Sequence, residues 1–259
     1  MRKSDPEFSV AALADVLFGE LNLADSASIK VAYSGGLDSS VLLHALALLR
    51  NSHPLTLAAV HVDHGLHADS AAWAEACAGV CRNLNVPFTV RRVAVTGSGA
   101  EGLEAAARRA RYAALAEDLA SGEVLLTAHQ RDDQAETVLL QLLRGSGLAG
   151  LAAMPARAPF GAGERVRPLL RFPRASLRAY ADHNHLTWIE DPSNGDLRLR
   201  RNFLRAEILP GLLRHWPEAG AALSRAATHA AEAMQLLDEL AGSDLAACLG
   251  GDRRYPAAL

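Results

Sequence analysis

Ile29-Lys30-Val31-Ala32-Tyr33-Ser34-Gly35-Gly36-Leu37-Asp38-Ser39-Ser40 joins a short apolar run to a glycine pair and then to the head of an apolar helix that continues to Leu49. The apolar run predicts a buried strand. Gly35 and Gly36 let the backbone turn tightly and approach a ligand closely. The helix start beyond them offers unpaired N–H groups and the positive end of a helix dipole, a combination that suits phosphate. Ser34, Ser39 and Ser40 add hydroxyl donors. Asp38 would repel a bare phosphate, so it reads as a ligand of a bridging Mg²⁺. The stretch has no Gly-Lys-Ser/Thr, which excludes a Walker A loop. The same residues also fit an ordinary glycine turn capped by Asp or Ser.

Outward from this stretch, strand and helix patterns alternate. Strands are predicted at 29–33, 55–62, 88–95 and 124–128, and helices at 38–49, 68–84, 102–119 and 132–143, with a further helix at 10–21 ahead of the first strand. That alternation predicts a parallel sheet covered by helices on both faces. The punctuation changes after Gly145-Ser146-Gly147. Pro155, Pro159, Pro168 and Pro173, with Gly161 and Gly163, predict an ordered loop over 152–173 holding one short strand at 166–170. A helix at 174–184, a turn at Pro192-Ser193-Asn194-Gly195 and a helical stretch at 217–240 follow, with Pro217 in the first turn of the last.

With 259 residues, half of them apolar, the chain is neither disordered nor a peptide scaffold, and it suits one large domain or two modest ones. A net charge of -3 excludes a globally basic nucleic-acid binder. Of 26 basic residues only Lys3 and Lys30 are lysines. Three cysteines make no disulfide framework, and Cys77 and Cys81, one helical turn apart, read as packing residues. No apolar run reaches the ~20 residues of a membrane span, and the N-terminus has no signal-peptide core. A cytoplasmic protein with no membrane partner is expected. Charge is unevenly placed, because residues 157–205 hold ten arginines against five acids. This segment is either a solvated, salt-bridged surface or a face that contacts nucleic-acid phosphates.

Further residues stand where a nucleotide site would need them. His129, Asp132, Asp133 and Glu136 lie at i, i+3, i+4 and i+7, one helical face if the helix begins early enough. Acids there also complement a helix N-terminus. Arg108, Arg109 and Arg111 follow Glu101 and Glu104, which allows i,i+4 ion pairs such as Glu104–Arg108. His61, Asp63, His64 and His67 are weak candidates for zinc.

The glycine stretch resembles the PP-loop of the ATP pyrophosphatase superfamily. Six ordered motifs sharpen the likeness: Ser34 to Ser40, His61 to Leu66, Leu126 to Thr137, Leu143 to Leu148, Arg167 to Leu170, and Glu190 to Asn194 with Arg201-Asn202 behind them. Together they look like the tRNA(Ile)-lysidine synthetase family over roughly residues 28–215. The resemblance implies an α/β fold: a parallel-sheet PP-loop (adenine nucleotide alpha hydrolase-like) domain over 1–215, then a smaller, mainly helical region over 216–259. That region would start a second tRNA-binding domain, with the C-terminal domain absent. It implies ATP and Mg²⁺ as cofactors. It also implies a carbon–nitrogen ligase that joins free L-lysine to C2 of the wobble cytidine of CAU-anticodon tRNA(Ile). A homodimer stays open.

The resemblance also distributes roles. Ser34, Gly35, Gly36, Leu37, Asp38, Ser39, Ser40 and His61 would bind ATP, with backbone groups of 60–62 facing adenine. Asp38, Arg109, His129, Asp132, Asp133 and Glu136 would be catalytic. Within that set, Asp38 and Asp133 would hold metal, the acids would share Mg²⁺ and lysine, and His129 would serve phosphate or proton transfer. Asp191, Asn194, Arg201, Asn202 and Arg205 would bind tRNA, although Arg205 could instead cap a helix or pair with Glu207. The alternatives are another PP-loop tRNA-modifying enzyme, such as a thiolation enzyme, or a nucleotide- or RNA-binding module without turnover. A thiolation enzyme needs catalytic or cluster-binding cysteines, and Cys77, Cys81 and Cys248 form no Cys-x-x-Cys pair.

Overall fold

A computed structural model describes residues 5–95 and 102–250, without the side chains of Glu104, Asn194 and Leu249. Lys3 and Glu101 lie outside the described residues. The chain opens with α1 (Val10–Ala14), whose start is capped by the Ser9 hydroxyl, and widens into a π turn over Asp15–Glu20. Strand and helix then alternate: β1 (Ser28–Ala32), α2 (Leu37–Leu49), β2 (Thr56–Asp63), α3 (Ser70–Asn83), β3 (Phe88–Arg92), α4 (Gly102–Glu117), β4 (Val124–Leu126) and α5 (Arg131–Leu143). The rest comprises α6 (Leu148–Leu151), β5 (Arg157–Phe160), β6 (Gly163–Val166), α7 (Arg174–His183), α8 (Arg200–Phe203), α9 (Leu209–His215) and α10 (Ala219–Gly250).

The six strands form one sheet in the order β3-β2-β1-β4-β6-β5. All neighbours are parallel except the β5–β6 pair. The chain builds outward from β1 through β2 to β3, then crosses back to place β4 on the other side of β1. That reversal is a topological switch point, where the loops after β1 and β4 leave in opposite directions and a crevice opens between them.

Burial follows the pleat. Ile29 and Val31 of β1, Leu57 and Ala59 of β2, and Leu126 of β4 face a large core with α1, α2, α3 and α7. Val60 and Leu125 point to the other face, where Leu115 of α4 and Leu119 just beyond it cover them. Lys30 also points that way and pairs with Asp118 at 3.1 Å and Glu123 at 3.0 Å, which makes it a structural lysine. Cys77 and Cys81 are buried in α3 as packing residues.

The strands expected at 88–95 and 124–128 end at Arg92 and Leu126, and α6, α8 and α9 were not expected. Residues 157–166 form a hairpin rather than loop, and the strand expected at 166–170 ends at Val166. Gly161 turns the hairpin at φ +56°, where a Cβ would lie 2.5 Å from the Ala116 carbonyl oxygen. Pro159 is tolerated because β5 is an edge strand. The last helix runs to Gly250 rather than 240, and Pro217 precedes its first residue instead of sitting in its first turn.

Candidate active site

A cleft of about 1360 Å³ opens at the switch point, over the C-terminal ends of β1, β2 and β4. The glycine loop forms its floor. Gly35 takes φ +82°, and a Cβ there would stand 2.6 Å from Ile189 Cδ1 and 2.8 Å from Cys77 Sγ. Glycine is therefore required on two counts, backbone angle and space. The Ile189 N–H donates to the Gly35 carbonyl at 2.9 Å, tying the segment after α7 onto the loop. Ser40 donates to the same carbonyl from behind at 3.3 Å, and Ser39 donates to the Gly36 carbonyl at 3.0 Å. The loop is thus held in shape before any ligand arrives.

Asp38 sits in the first turn of α2 and faces the head of α5. Its Oδ1 is buried and receives no hydrogen bond, and its nearest cation is Arg174, at 3.9 Å from Oδ2. Burial pushes its carboxyl up to about 6, opposed by Arg174 and assisted by Asp133 and Asp132. An orphaned carboxylate oxygen beside a phosphate-shaped loop fits a cation shared with phosphate. Among the described residues no group of three or more His, Cys, Asp or Glu could hold a metal alone. Mg²⁺ is commonly held by one or two carboxylates and completed by phosphate and water, and Asp38 is a carboxylate of that kind.

The head of α5 supplies the opposite wall. The Gln130 side chain accepts from the Asp132 N–H at 2.6 Å, while Asp133 Oδ2 accepts from the Gln130 N–H at 3.1 Å, closing a capping box. His129 therefore precedes the helix rather than sharing its face. Its Nδ1 lies 3.1 Å from Thr127 Oγ1, and burial, then Arg167 and Arg108, hold the imidazole well below its usual range. Burial raises both Asp132 and Asp133. His61 lines the cleft from β2 with its Nδ1 2.9 Å from the Tyr33 carbonyl oxygen, so Nδ1 carries the proton and Nε2 is left as acceptor.

A PP-loop domain family model matches residues 10–212. The chain belongs to the PP-loop domain family. It is 55% identical over 219 residues to the tRNA(Ile)-lysidine synthase of Pseudomonas aeruginosa, covering 84% of this chain and 49% of that protein. It is 54% identical over 241 residues to that of Alkalilimnicola ehrlichii, covering 93% and 54%. The chain therefore spans about half the length of the curated relatives it matches. The U34-tRNA thiolase NcsA of Methanococcus maripaludis, solved with its [4Fe-4S] cluster, shares the fold at a TM-score of 0.68 and 18% identity, covering 85% of this chain and 76% of that one.

Within this PP-loop domain the cleft gathers Ser34, Gly36, Leu37, Asp38, Ser39, His61, His129, Asp132, Asp133, Asp191, Arg201 and Arg205. Other expected residues stand elsewhere. Gly35 and Ser40 support the loop from beneath. Glu136 is fully buried one turn below Asp133, and its two oxygens are held by Arg201 Nε and Arg205 Nε, each at 2.7 Å. It has no oxygen to offer lysine or metal in this arrangement. Asp133 Oδ1 accepts from Arg205 at 3.1 Å while Oδ2 caps the helix, so Asp132 is the freer partner for Asp38. Arg205 thus pairs with Glu136 and Asp133 rather than Glu207. The Asn202 amide is turned inward and donates to the Ser193 and Asp196 carbonyls at 2.9 and 3.1 Å, fixing the turn that carries Asp191. The Asn194 side chain lies outside the described residues.

Arg109 is exposed and does not line the cleft, whereas Arg108, Arg111 and Tyr112 do, because the intervening residues turn Arg109 away around α4. Sequence reasoning passed over Trp188, and it counted Arg174 and Arg178 only among the ten arginines of the basic segment over 157–205. One signal was present for Arg174: it is a cation in the first turn of a helix, where the dipole favours anions. The Arg178 guanidinium lies 4.7 Å over the Trp188 ring at the mouth of the cleft.

Proposed function

We propose that this chain carries the ATP-dependent step that joins L-lysine to C2 of the wobble cytidine in a CAU-anticodon tRNA(Ile), as the names of its relatives suggest. The observation that carries the reading is the meeting, in one cleft, of a preformed anion-binding glycine loop, an orphaned Asp38 oxygen and the acidic head of α5. The glycine loop and the N-terminus of α2 would bind the polyphosphate, with His61 and the end of β2 against the adenine side. Asp38 and Asp132 would hold Mg²⁺, which when bound supplies charge neutralisation on the triphosphate.

The chemistry divides into two displacements. The cytidine O2 attacks the α-phosphorus, pyrophosphate leaves, and a poor leaving oxygen becomes a good one. The lysine ε-amine then attacks C2, loses its proton, and AMP departs with O2. His129 is neutral at physiological pH, so it accepts a proton or hydrogen bond rather than adding positive charge. Asp132 and Asp133 draw the lysine ammonium to the site. Arg174 and Arg178, at the cleft mouth, face the incoming anticodon loop, whose base must leave its stack to reach the pocket.

A thiolation reading lacks placed sulfur. Cys77 and Cys81 are buried beneath the glycine loop, their thiols pushed by burial up to about 12 and about 11, and Cys248 is exposed on α10. The test is incubation with ATP, Mg²⁺, L-lysine and the CAU anticodon stem–loop. A hairpin gaining the mass of one lysine residue, with pyrophosphate released only when RNA is present and beyond one equivalent only when lysine is present too, meets the proposal. ATP binding without that product would reduce the chain to a nucleotide-binding module.

A further inference from the structure

Arginines converge on one phenol at the α4 side of the cleft. The guanidinium carbons of Arg108, Arg165 and Arg111 lie 4.8, 5.2 and 5.5 Å from the centre of the Tyr112 ring. Arg167, 4% exposed, stands behind them, near enough to His129 to depress that imidazole. Arg108, Arg111 and Tyr112 line the cleft, while Arg165 and Arg167 back them. Among the described residues neither Arg165 nor Arg167 makes an ion pair, and the Nε of each is buried without an acceptor. Arg167 spends one N–H on the Pro155 carbonyl at 2.5 Å.

This is a costly arrangement for a merely structural role. Burial, then repulsion from Arg165, lowers Arg167 to about 10, and burial lowers Arg165 as well. Stacking on a phenol offsets only part of the cost of gathering like charges out of water. An anion in the cleft would complete the set with charge-assisted hydrogen bonds from the front residues and attraction from those behind. The glycine loop lies at the head of α2, on the far face of the sheet from α4, and already accounts for a polyphosphate.

We infer that the Arg108–Tyr112–Arg165 cluster is a second phosphate subsite, which takes a phosphodiester flanking the nucleotide that enters the cleft. This rests on the RNA reading above. A nucleotide α-phosphate has the same chemistry, so the test carries both ligands.

The experiment compares the 259-residue chain with Arg165→Met and Arg108→Met, using a labelled CAU anticodon stem–loop, a non-hydrolysable ATP analogue and thermal melts. Each variant is expected to bind the hairpin about tenfold more weakly, Arg108→Met by losing a charge-assisted hydrogen bond and Arg165→Met by losing the attraction behind it. ATP-analogue binding should stay within about twofold, and the log–log salt slope for RNA should become shallower by about 0.7. Arg165→Met should raise Tm, because it removes a half-buried, repelled charge, whereas a structural cation would lower Tm when lost. Weakened ATP-analogue binding with unchanged hairpin binding would keep the subsite and assign it to the nucleotide phosphate. Wild-type affinity for both ligands in both variants would overturn the inference alone. A wild-type chain that binds neither ligand would overturn the RNA reading with it.

Discussion

Asp38 shows what a reactive position costs the fold. Its carboxyl moves from 3.8 to about 6 because burial disfavours the charged form. A folded-state pKa above the unfolded one means that the native protein binds the extra proton. Stability is then fully present below pH 3.8 and falls as pH rises through about 6. At neutral pH the buried charge costs on the order of 3 kcal/mol. Asp38→Asn is therefore expected to melt several degrees higher than the wild type at pH 7, with the gap closing as pH falls toward 4. The same variant should lose ATP-dependent pyrophosphate release. Equal melting temperatures at pH 7 would show that Asp38 is solvated rather than buried and strained. Nothing in the composition of residues 34–40 reveals this cost, because it comes from the walls that α5 and α7 place around the carboxylate.

Between α5 and α8 a compact ionic strap does work that the one-dimensional pattern hid. Glu136, fully buried, is clasped by Arg201 and Arg205, and Arg201 Nη2 also reaches the Asp133 carbonyl at 3.1 Å and Thr137 Oγ1 at 3.3 Å. Glu136→Ala would leave two guanidinium groups without their main partner, and a loss of about 3–5 kcal/mol is expected. Denaturant melts check it, and a loss under about 1 kcal/mol would mean the strap is solvated. The spacing of Asp132, Asp133 and Glu136 was legible as a helical face, whereas His129 precedes the helix. Its division was not, because Glu136 faces Arg201 of α8, sixty-five residues further on in sequence, and no local pattern records that contact. The alternating strands and helices up to α5 were legible for the opposite reason: each run carries its own period and its own glycine or cap. The β5–β6 hairpin was missed because Pro159 reads as a breaker unless the strand is known to be an edge.

For the molecule as a whole, net charge is -3, yet a polyanion is its proposed substrate. The basic segment over 157–205 does not present ten free arginines. Arg157 pairs with Glu164, Arg171 with Glu20, Arg178 with Asp182, Arg198 with Asp196, and Arg201 and Arg205 with Glu136. Among the described residues, cationic potential is left chiefly at the cleft, with Arg108 and Arg174 in its wall and Arg165 and Arg167 behind it, where low dielectric and concave walls strengthen it. Binding of the anticodon stem–loop should therefore depend on few phosphates. With two to four contacts at roughly 0.7 per single-strand phosphate, log K should fall with log[salt] at a slope of about -1.5 to -3. A segment displaying all ten arginines would give about -7. Arg200→Ala, on the exposed side of α8, should leave the slope nearly unchanged, whereas Arg174→Ala at the cleft mouth should flatten it by about 0.7. Arg201→Ala should instead lower Tm, since its guanidinium is spent on Glu136. A fluorescence-anisotropy series in KCl separates these outcomes. A wild-type slope steeper than about -5 would mean that the surface ion pairs open to the RNA, and that the cleft is not where most of its charge is read.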